Sequence, residues 1–444
     1  MAAVAPFAGL RYNPAVVGNL ADVVTPPYDV IDAGAQERYY HRHPNNIIRL
    51  EYGKVLPGDH AYHNRYTRAK SDFAAWIAEK VLLPEPAPAI YFYEQEFRVE
   101  GARMTRSGLI CTVKLEPYAS GLILPHEETI PKHKADRLDL LRACGANFSP
   151  VFGLYQDQEL EVEQIKMRFV AAKAPEMFFT DESGESHRLW VVTEPPAIGA
   201  VQRIMADKRI FIADGHHRYE TGLNYQQEQN ARGKQESAPY NYIMMALVNL
   251  YDPGLVVLPT HRVVRRVAPG SLAQLLARLA EDFTVEEFTP SDRIDAPEEL
   301  LAALGRRSRP DSGAGRAHVF ALYAPVNRFF ILELKRGQAK SPDASPGRSQ
   351  AWRELDVSVL QSLIFNRVLG VSDELIAKGE HLAYVRDAAT AAAMVDSGEY
   401  QLAFLLNPTL KEEIIKVAGG GEKMPQKSTF FYPKLISGLV LNRF

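Results

Sequence analysis

The feature that most constrains the fold is a short apolar run that ends in Asp-Gly and continues into a polar stretch, residues 211–220 (FIADGHHRYE). The apolar residues at 210–212 predict a buried strand, and Gly215 frees the backbone to turn sharply. A helical pattern follows at 219–225. A strand, a tight turn and a helix in succession predict a protein that mixes helices with a sheet.

The polar residues of this junction form the first candidate site. Asp214, His216, His217 and Arg218 are candidate catalytic residues, and Gly215 is a candidate phosphate-binding residue. The first-turn amides of the helix, beside two imidazoles and a guanidinium, favour an anion such as phosphate. The alternative is an ordinary turn with histidines that cap the helix or face water. A shared metal is disfavoured, because neighbouring helical residues point about 100° apart.

Bulk composition excludes several protein classes. The chain has 444 residues, 46% of them hydrophobic and 24% charged, with a net charge of -3. These values predict a globular protein with two or three cores, a small-molecule substrate and no main role in binding nucleic acid. No run of about 18 apolar residues and no signal-peptide pattern occurs, so we expect a cytoplasmic protein without a membrane anchor. The two cysteines, Cys111 and Cys144, do not have the spacing of a zinc site. The sequence does not indicate an oligomeric state.

Changes of pattern along the chain predict four regions. They are an N-terminal α+β region at 1–150, a central region at 151–264, an α+β insertion with a linker at 265–350, and a C-terminal α/β region at 351–444. Short strands are expected near 21–25 and 47–50, and charged loops after a helix at 271–282. Residues 242–250 are almost continuously apolar, which predicts a strand buried on both faces.

A second cluster of polar residues lies at 126–138 (HEETIPKHKADRL). Glu127 or Glu128 would bind a magnesium ion that bridges a phosphate chain. The phosphate-binding candidates of this cluster are Thr129, Lys132, Lys134 and Arg137. The alternative is a solvated charged loop, which is the common environment of such residues.

A third cluster lies at 424–434 (MPQKSTFFYPK), after three glycines. Lys427, Ser428 and Thr429 offer a charge and two hydroxyl donors to a phosphate. The chain has no G-x-x-x-x-G-K-[ST] motif, so a Walker-type NTPase is not supported. A polar C-terminal hairpin is the alternative.

A fourth candidate is Asp29 in the segment 25–31 (TPPYDVI). Two prolines stiffen the backbone before Asp29, which could act as a general base toward a hydroxyl group. The alternative is that Asp29 or Asp32 caps a helix. The motifs G-x-S-x-G, H-E-x-x-H, C-x-x-C and G-x-G-x-x-G are all absent, which disfavours serine hydrolases, zinc proteases, thioredoxins and Rossmann-type enzymes.

Five segments in order resemble one family: PPYDVI, the EET...K...DRL stretch with NFSP, IADGHHRYET, LPTHR and MPQKSTFFYPKLISGLV. Together they resemble the bacterial and archaeal family catalogued as domain of unknown function one-thousand-fifteen. More distantly, the strand, Asp-Gly-His-His-Arg and helix arrangement is similar to the ParB/sulfiredoxin-like superfamily, which includes free-serine kinases. This resemblance implies an α+β fold with a mixed-sheet ParB/sulfiredoxin-like core and additional α+β regions.

The same resemblance implies a function in phosphate chemistry. In the serine kinases of that group an N-terminal carboxylate activates the serine hydroxyl, and this role maps onto Asp29. The motif lacks the catalytic Cys of sulfiredoxins, and no basic recognition helix of the ParB kind is found. We therefore expect a Mg²⁺-dependent phosphotransferase acting on a small hydroxylated metabolite, with L-serine the leading substrate and ATP, ADP or pyrophosphate as donor. The alternatives are a phosphomonoester phosphatase and a non-enzymatic nucleotide-binding regulator.

Overall fold

The computed structural model describes residues 2–127, 134–292, 296–308, 316–336 and 347–444. The chain divides into two compact units. Unit 1 comprises Met1–Pro125, Pro131–Val256 and Pro433–Phe444, and unit 2 comprises His126–Ile130 and Val257–Tyr432. Each unit therefore draws on segments that are distant in sequence.

The strands are short, and most have fewer than eight residues. In chain order they are β1 Val4–Ala5, β2 Leu10–Tyr12, β3 Leu82–Pro84, β4 Ile90–Val99, β5 Ala102–Lys114, β6 Ile123–Pro125, β7 Ala146–Asn147, β8 Val151–Tyr155, β9 Met177–Thr180, β10 Ser186–Val192, β11 Ile210–Asp214, β12 Tyr242–Asn249, β13 Val256–Leu258, β14 His261–Val264, β15 Phe283–Phe288, β16 Val319–Ala324, β17 Arg328–Leu334, β18 Leu382–Val385, β19 Leu402–Leu405, β20 Phe430–Tyr432 and β21 Asn442–Arg443.

The helices range from single turns to 17 residues. In chain order they are α1 Pro14–Val17, α2 Ala33–Arg42, α3 Ile48–Glu51, α4 Arg65–Ala78, α5 Lys134–Cys144, α6 Glu161–Val170, α7 Pro195–Met205, α8 His216–Arg232, α9 Leu272–Asp282, α10 Ala296–Arg307, α11 Gln350–Arg353, α12 Asp356–Val359, α13 Asp373–Lys378, α14 Ala388–Asp396 and α15 Lys411–Gly419. Single 3₁₀ turns include Leu20–Asp22 and Tyr28–Val30, and Leu360–Val368 is a π-helix.

Unit 1 is built on a mixed sheet of nine strands. Its order is β6-β11-β8-β12-β5-β4-β10-β9, with β1 added to β5. The pairs β6–β11 and β8–β12 are parallel, and the other pairs are antiparallel. The hairpin between β4 and β5 turns at Glu100 and Gly101, both with positive φ, as tight hairpin turns require. The predicted α+β class with a mixed sheet is confirmed.

The core of unit 1 lies on the faces of this sheet. Strand β12 is buried along nearly its whole length, between antiparallel β5 and parallel β8. Val113, Met245, Leu247 and Ile210 in the sheet pack in one cluster with residues such as Val201 of the covering helix α7. The prediction of a strand at 242–250 that is buried on both faces is confirmed.

Unit 2 has a separate sheet and a separate core. Its six strands run in the order β15-β17-β16-β19-β14-β18, and all neighbours are antiparallel. The core cluster includes Leu300 and Leu304 of α10, Val395 of α14, and Val319 and Ala403 of the sheet. A six-residue edge strand, β15, and the helix α10 occupy the stretch where the sequence predicted charged loops, so that prediction was wrong.

The physical reason is that α10 is apolar on one side only and that charged residues interrupt the apolar residues of β15. Along β15 the exposed Glu286 and Glu287 bind Arg307 and Arg328, which leaves charge on the solvent side of an edge strand. The high charge density thus hides the apolar spacing by which a strand or helix is recognised in a sequence.

Two of the short predicted strands are helical turns instead. The segment near 21–25 begins as the 3₁₀ turn Leu20–Asp22, and the apolar run near 47–50 forms α3. Asn19 and Asn46 accept hydrogen bonds from the backbone N–H two residues ahead, at Ala21 and Ile48. Such local side-chain bonds favour a turn over an extended strand. Among the described residues, no helix is long and apolar enough to cross a bilayer.

Candidate functional site

The predicted strand-turn-helix junction is present in unit 1. Strand β11 ends at Asp214, Gly215 is the N-cap residue with φ of 85°, and α8 begins at His216. The pairing of β11 with β8 shifts register between Ile212 and Asp214. A bulge of this kind redirects the last side chains of a strand and is common beside functional sites. His216 and His217 form the first turn of α8 and are partly buried.

Gly215 is required here by space as well as by φ. A Cβ at this position would lie 2.8 Å from the Nε and Nη2 atoms of Arg218. The guanidinium of Arg218 therefore folds back over the turn, three residues into the helix. This arrangement places a fixed cation beside the positive end of a 17-residue helix.

Asp214 lies at the centre of a group of positive charges. Its Oδ1 accepts the backbone N–H of Gly215 at 2.8 Å, and its Oδ2 accepts a hydrogen bond from Lys434 Nζ at 3.1 Å. Burial would raise the pKa of this carboxyl. The charges of Lys434, Arg218 and His216 outweigh that effect, so the pKa lies well below its usual range.

Asp214 is therefore ionised at neutral pH, and its catalytic role stays a prediction. Asp214, Lys434 and Arg218 together bring one negative and two positive charges to this turn. That balance, at a helix N-terminus, favours an anionic ligand.

Arg218 is held from the opposite side by the segment before β8. Its Nη1 donates to Ser149 Oγ at 3.1 Å and to the carbonyl of Pro150. Ser149 Oγ in turn donates to Glu51 Oε1 at 2.8 Å. The Nε of Arg218 is buried without a hydrogen-bond partner, so one donor of the guanidinium is available.

Arg137, a predicted phosphate ligand, is buried and 6% exposed. Its Nη1 donates to the carbonyl of Glu51 at 2.8 Å, and its Nε and Nη2 donate to Asp136 Oδ2 at 2.8 and 2.6 Å. The guanidinium also lies 4.1 Å from the ring centroid of Tyr28. These contacts make Arg137 a connection between helices α3 and α5, and its role as a phosphate ligand stays a prediction.

Tyr28 links the predicted base to this group. Tyr28 and Asp29 are the first residues of the 3₁₀ turn Tyr28–Val30, where Tyr28 is buried and Asp29 is exposed. Burial raises the pKa of Tyr28 to about 12, while the charges of Arg137 and Arg218 act in the opposite direction. The charge of Arg218 thus acts on the phenol of Tyr28, which places the PPYD segment close to Arg218.

A pocket opens next to these residues. Its polar lining consists of side chains from α3, α5, α8 and the segment before β8: Glu51, Arg137, Asn147, Ser149, Arg218 and Thr221. The buried Oγ1 of Thr221 has no hydrogen-bond partner. The pocket therefore presents a buried hydroxyl and a guanidinium to a small polar ligand.

The part of the third cluster that contains Lys427, Ser428 and Thr429 lies in unit 2, and the backbone of Lys427 is held there by two charged side chains. Lys427 has φ of 58°, an uncommon conformation for a residue with a Cβ. Its N–H donates to Glu127 Oε1 at 2.8 Å, and its carbonyl accepts from Arg262 Nη2 at 2.9 Å. Two charged side chains thus hold the backbone while the Lys427 side chain is exposed.

The neighbouring hydroxyls are already used inside the protein. Ser428 and Thr429 are buried; Ser428 Oγ donates to the carbonyl of Pro425, and Thr429 Oγ1 lies 2.7 Å from His126 Nε2. Lys427 is thus the member of this cluster that is presented to solvent. The phosphate-binding roles of all three residues stay predictions.

Of the remaining candidate residues of the second cluster, the structure describes only some. Glu128, Thr129 and Lys132 lie outside the described residues, and Lys134 begins α5 without a described side chain. Glu127 uses Oε1 for the backbone of Lys427, and its Oε2 lies 3.8 Å from His126 Nε2. Magnesium binding by Glu127 and Glu128 stays a prediction.

Comparison with protein-family models shows to which family the chain belongs. Residues 4–358 match the model of the family described as Protein of unknown function (DUF1015). The chain belongs to this family. The match confirms the resemblance drawn from the motifs, and it contains the PPYD segment, Arg137 and the Asp214 junction of this DUF1015 member. Lys434 and the MPQKST segment lie beyond the matched residues.

No curated protein matches the chain. Solved structures with some similarity include a conserved hypothetical protein from Pyrococcus furiosus, at 16% identity and a TM-score of 0.34, covering 73% of this chain and 92% of that one. A free serine kinase in complex with AMP has 16% identity and a TM-score of 0.34, covering 72% and 86%. SbnI from Staphylococcus aureus, with a C-terminal truncation, has 12% identity and a TM-score of 0.33, covering 74% and 85%.

Sequence reasoning missed two residues that complete the site in unit 1. Glu51 lies in an apolar run, where a carboxylate is a signal of a buried ion pair. Lys434 is only the last residue of the MPQKST segment in the sequence, and it contacts a carboxylate 220 positions away. The pattern of neighbouring residues in the sequence contains no signal for a contact between residues 220 positions apart.

Proposed function

We propose that this protein is a phosphotransferase that acts on a small hydroxylated metabolite. Free L-serine is the leading acceptor, and ATP, ADP or pyrophosphate is the donor. The observation that carries the proposal is the grouping of Asp214, Lys434 and Arg218 at the N-terminus of α8. A fixed net positive charge beside a helix N-terminus is suited to a phosphoryl group.

The proposed roles follow from what each side chain can offer. Arg218 would contact the transferred phosphate through its available Nε, and Lys434 would balance the charge that develops on it. Asp214, kept ionised by these cations, would hold Lys434 in place. Phosphoryl transfer needs positioning and charge stabilisation more than covalent help, and this set of residues supplies both.

Asp29 is the proposed acceptor of the hydroxyl proton. It is exposed, and it follows directly on Tyr28, which is anchored on the Arg137 guanidinium. A carboxylate on a stiff, anchored turn can be held within hydrogen-bond reach of a substrate hydroxyl. Magnesium would enter with the donor, because Mg²⁺ usually retains water and binds mainly through substrate phosphates.

The direct test is phosphoserine formation from L-serine, Mg²⁺ and each donor in turn, measured by mass spectrometry. Arg218→Lys and Asp29→Asn should lower turnover by at least about a hundredfold, in keeping with the loss of a positioned charge or base. Lys234→Ala, which removes an exposed cation of unit 1, is the matched control and should keep full activity. Release of inorganic phosphate from phosphoserine without transfer would instead identify a phosphatase.

A further inference from the structure

A second group of ionisable side chains lies at the tip of the β9–β10 hairpin in unit 1. Asp181, Glu185 and His187 each offer one ligand atom, and these atoms all lie within 4.8 Å of one another. None of the three belongs to the phosphate site proposed above. Two carboxylates and an imidazole form a donor set that binds divalent metals.

The imidazole of His187 is held in one orientation. The residue is 1% exposed, and its ring stacks between Tyr93 and Phe179, with centroids 6.0 and 4.9 Å away. Its Nδ1 lies 2.7 Å from the Tyr93 hydroxyl. Its Nε2 faces Asp181 Oδ2 at 3.1 Å. In metal sites the second ring nitrogen of a ligating histidine is typically fixed in the same way.

Both carboxylates are oriented by hydrogen bonds that each engage one of their oxygens. Asp181 Oδ1 accepts the N–H groups of Ser183 and Glu185, at 2.9 and 3.0 Å. Glu185 Oε2 accepts Gln95 Nε2 at 2.7 Å. Asp181 Oδ2 is thereby directed at His187, and Glu185 is fixed to strand β4 through Gln95.

The charge balance and the spacing both suit a divalent ion. Asp181 and Glu185 bring two acidic ligands beside the imidazole of His187 in a partly buried place. Ligands of a tetrahedral zinc ion with bonds of about 2.1 Å lie roughly 3.4 Å apart. The Nε2 to Oδ2 distance of 3.1 Å already matches this spacing. Because all three ligand atoms lie within 4.8 Å of one another, the Glu185 carboxylate would have to approach by at most about 1.4 Å to reach it.

We propose that Asp181, Glu185 and His187 bind one divalent metal ion of the zinc type at the tip of this hairpin. The mixed nitrogen and oxygen donors favour zinc over calcium or magnesium, which bind through oxygen alone. Three protein ligands leave a fourth position for water. The ion would connect the turn to strands β4 and β10.

The test is calorimetric titration of Zn²⁺ into the full chain, stripped with EDTA and free of any polyhistidine tag. The expected result is one ion per chain and a rise in Tm on zinc addition. Asp181→Asn keeps the acceptor for both turn amides, and Glu185→Gln keeps the acceptor for Gln95, so both variants should fold. Each should bind zinc more than about tenfold more weakly, because an anionic ligand is lost.

His41→Gln is the matched control, since His41 pairs with Glu37 on an exposed helix face. It should bind zinc as the wild type does. Absence of zinc binding by the wild type would overturn the proposal and leave the three residues as a hydrogen-bonded turn. Unchanged affinity in both Asp181→Asn and Glu185→Gln, or an equal loss in the control, would overturn it as well.

Discussion

At the scale of single residues, Gly215 determines whether the proposed phosphate site can form. Its φ is 85°, and a Cβ at this position would lie 2.8 Å from the guanidinium of Arg218. A substitution by a larger residue would therefore cost stability twice, through the backbone conformation and through the clash. Residues with a Cβ are disfavoured in this backbone region by about 1–2 kcal/mol. Displacement of Arg218 would add to that cost and would also disturb the site.

We therefore expect Gly215→Ala to lower the free energy of unfolding by more than the backbone cost alone. Gly121→Ala is the matched control, because Gly121 has φ of 71° and a Cβ added there would have no atom within 4 Å. Denaturant unfolding of both variants measures the difference, which we expect to be at least about 1 kcal/mol. Equal losses would show that Arg218 does not constrain position 215.

At the scale of elements, the buried ion pairs of Arg137 join α3 to α5. Glu51 and Arg137 are 4% and 6% exposed, so neither charge is well solvated. Removal of one partner from a buried pair commonly costs about 3–5 kcal/mol, because the other charge stays buried and uncompensated. Arg137 should therefore matter for stability before it matters for any ligand.

Arg137→Gln should lower the free energy of unfolding by about 3 kcal/mol or more. Arg142→Gln on the same helix is the control; its side chain is 48% exposed and its ion pairs with Asp139 and Glu228 are on the surface, so the loss should be below about 1 kcal/mol. Urea unfolding of the two variants provides the comparison. A stable Arg137→Gln protein that has lost phosphate binding would instead support the direct ligand role.

The elements that could be predicted are those with a long and regular pattern. The helix near 271–282 and the buried strand at 242–250 lie where the apolar spacing indicated them. Short segments failed where a polar side chain decided the outcome, as at Asn46. The turn at Asp214–Arg218, which forms part of the candidate site, could be predicted because its residues are contiguous, whereas Glu51 and Lys434 come near it only through the tertiary fold.

At the scale of the whole molecule, each unit has its own sheet and its own hydrophobic cluster. Two separate cores favour two unfolding transitions over a single cooperative one. We expect differential scanning calorimetry to require two transitions. A single transition whose calorimetric and van't Hoff enthalpies agree would contradict this expectation.

The midpoint temperature of the unit 2 transition should depend on pH, because unit 2 contains the buried His261. His261 in unit 2 is 0% exposed, and burial, aided by the charge of Arg262, lowers its pKa to about 4. In the unfolded chain His261 binds a proton with a pKa of about 6.5, whereas in the folded chain it does so only near pH 4. The free energy of unfolding should therefore decrease as the pH falls from about 6.5 to about 4. The loss should reach at most about 3 kcal/mol.

His261→Asn is the variant that tests this dependence. Asn can keep an acceptor for the N–H of Leu406, which His261 Nδ1 accepts at 3.3 Å, but it does not titrate. The transition of unit 2 should then vary less between pH 6.5 and 4, as followed by calorimetry. An unchanged pH dependence in this variant would assign the effect to other groups.

The measurement that tests the central claim most directly is phosphate transfer to L-serine by the wild type and by Lys434→Met, with Mg²⁺ and each of ATP, ADP and pyrophosphate. Lys434→Met removes the cation that contacts Asp214 and keeps most of the length of the side chain. We predict phosphoserine from the wild type with at least one donor, and a loss of about a hundredfold or more in the variant. Absence of phosphoserine from the wild type with every donor, or full activity in Lys434→Met, would contradict the account.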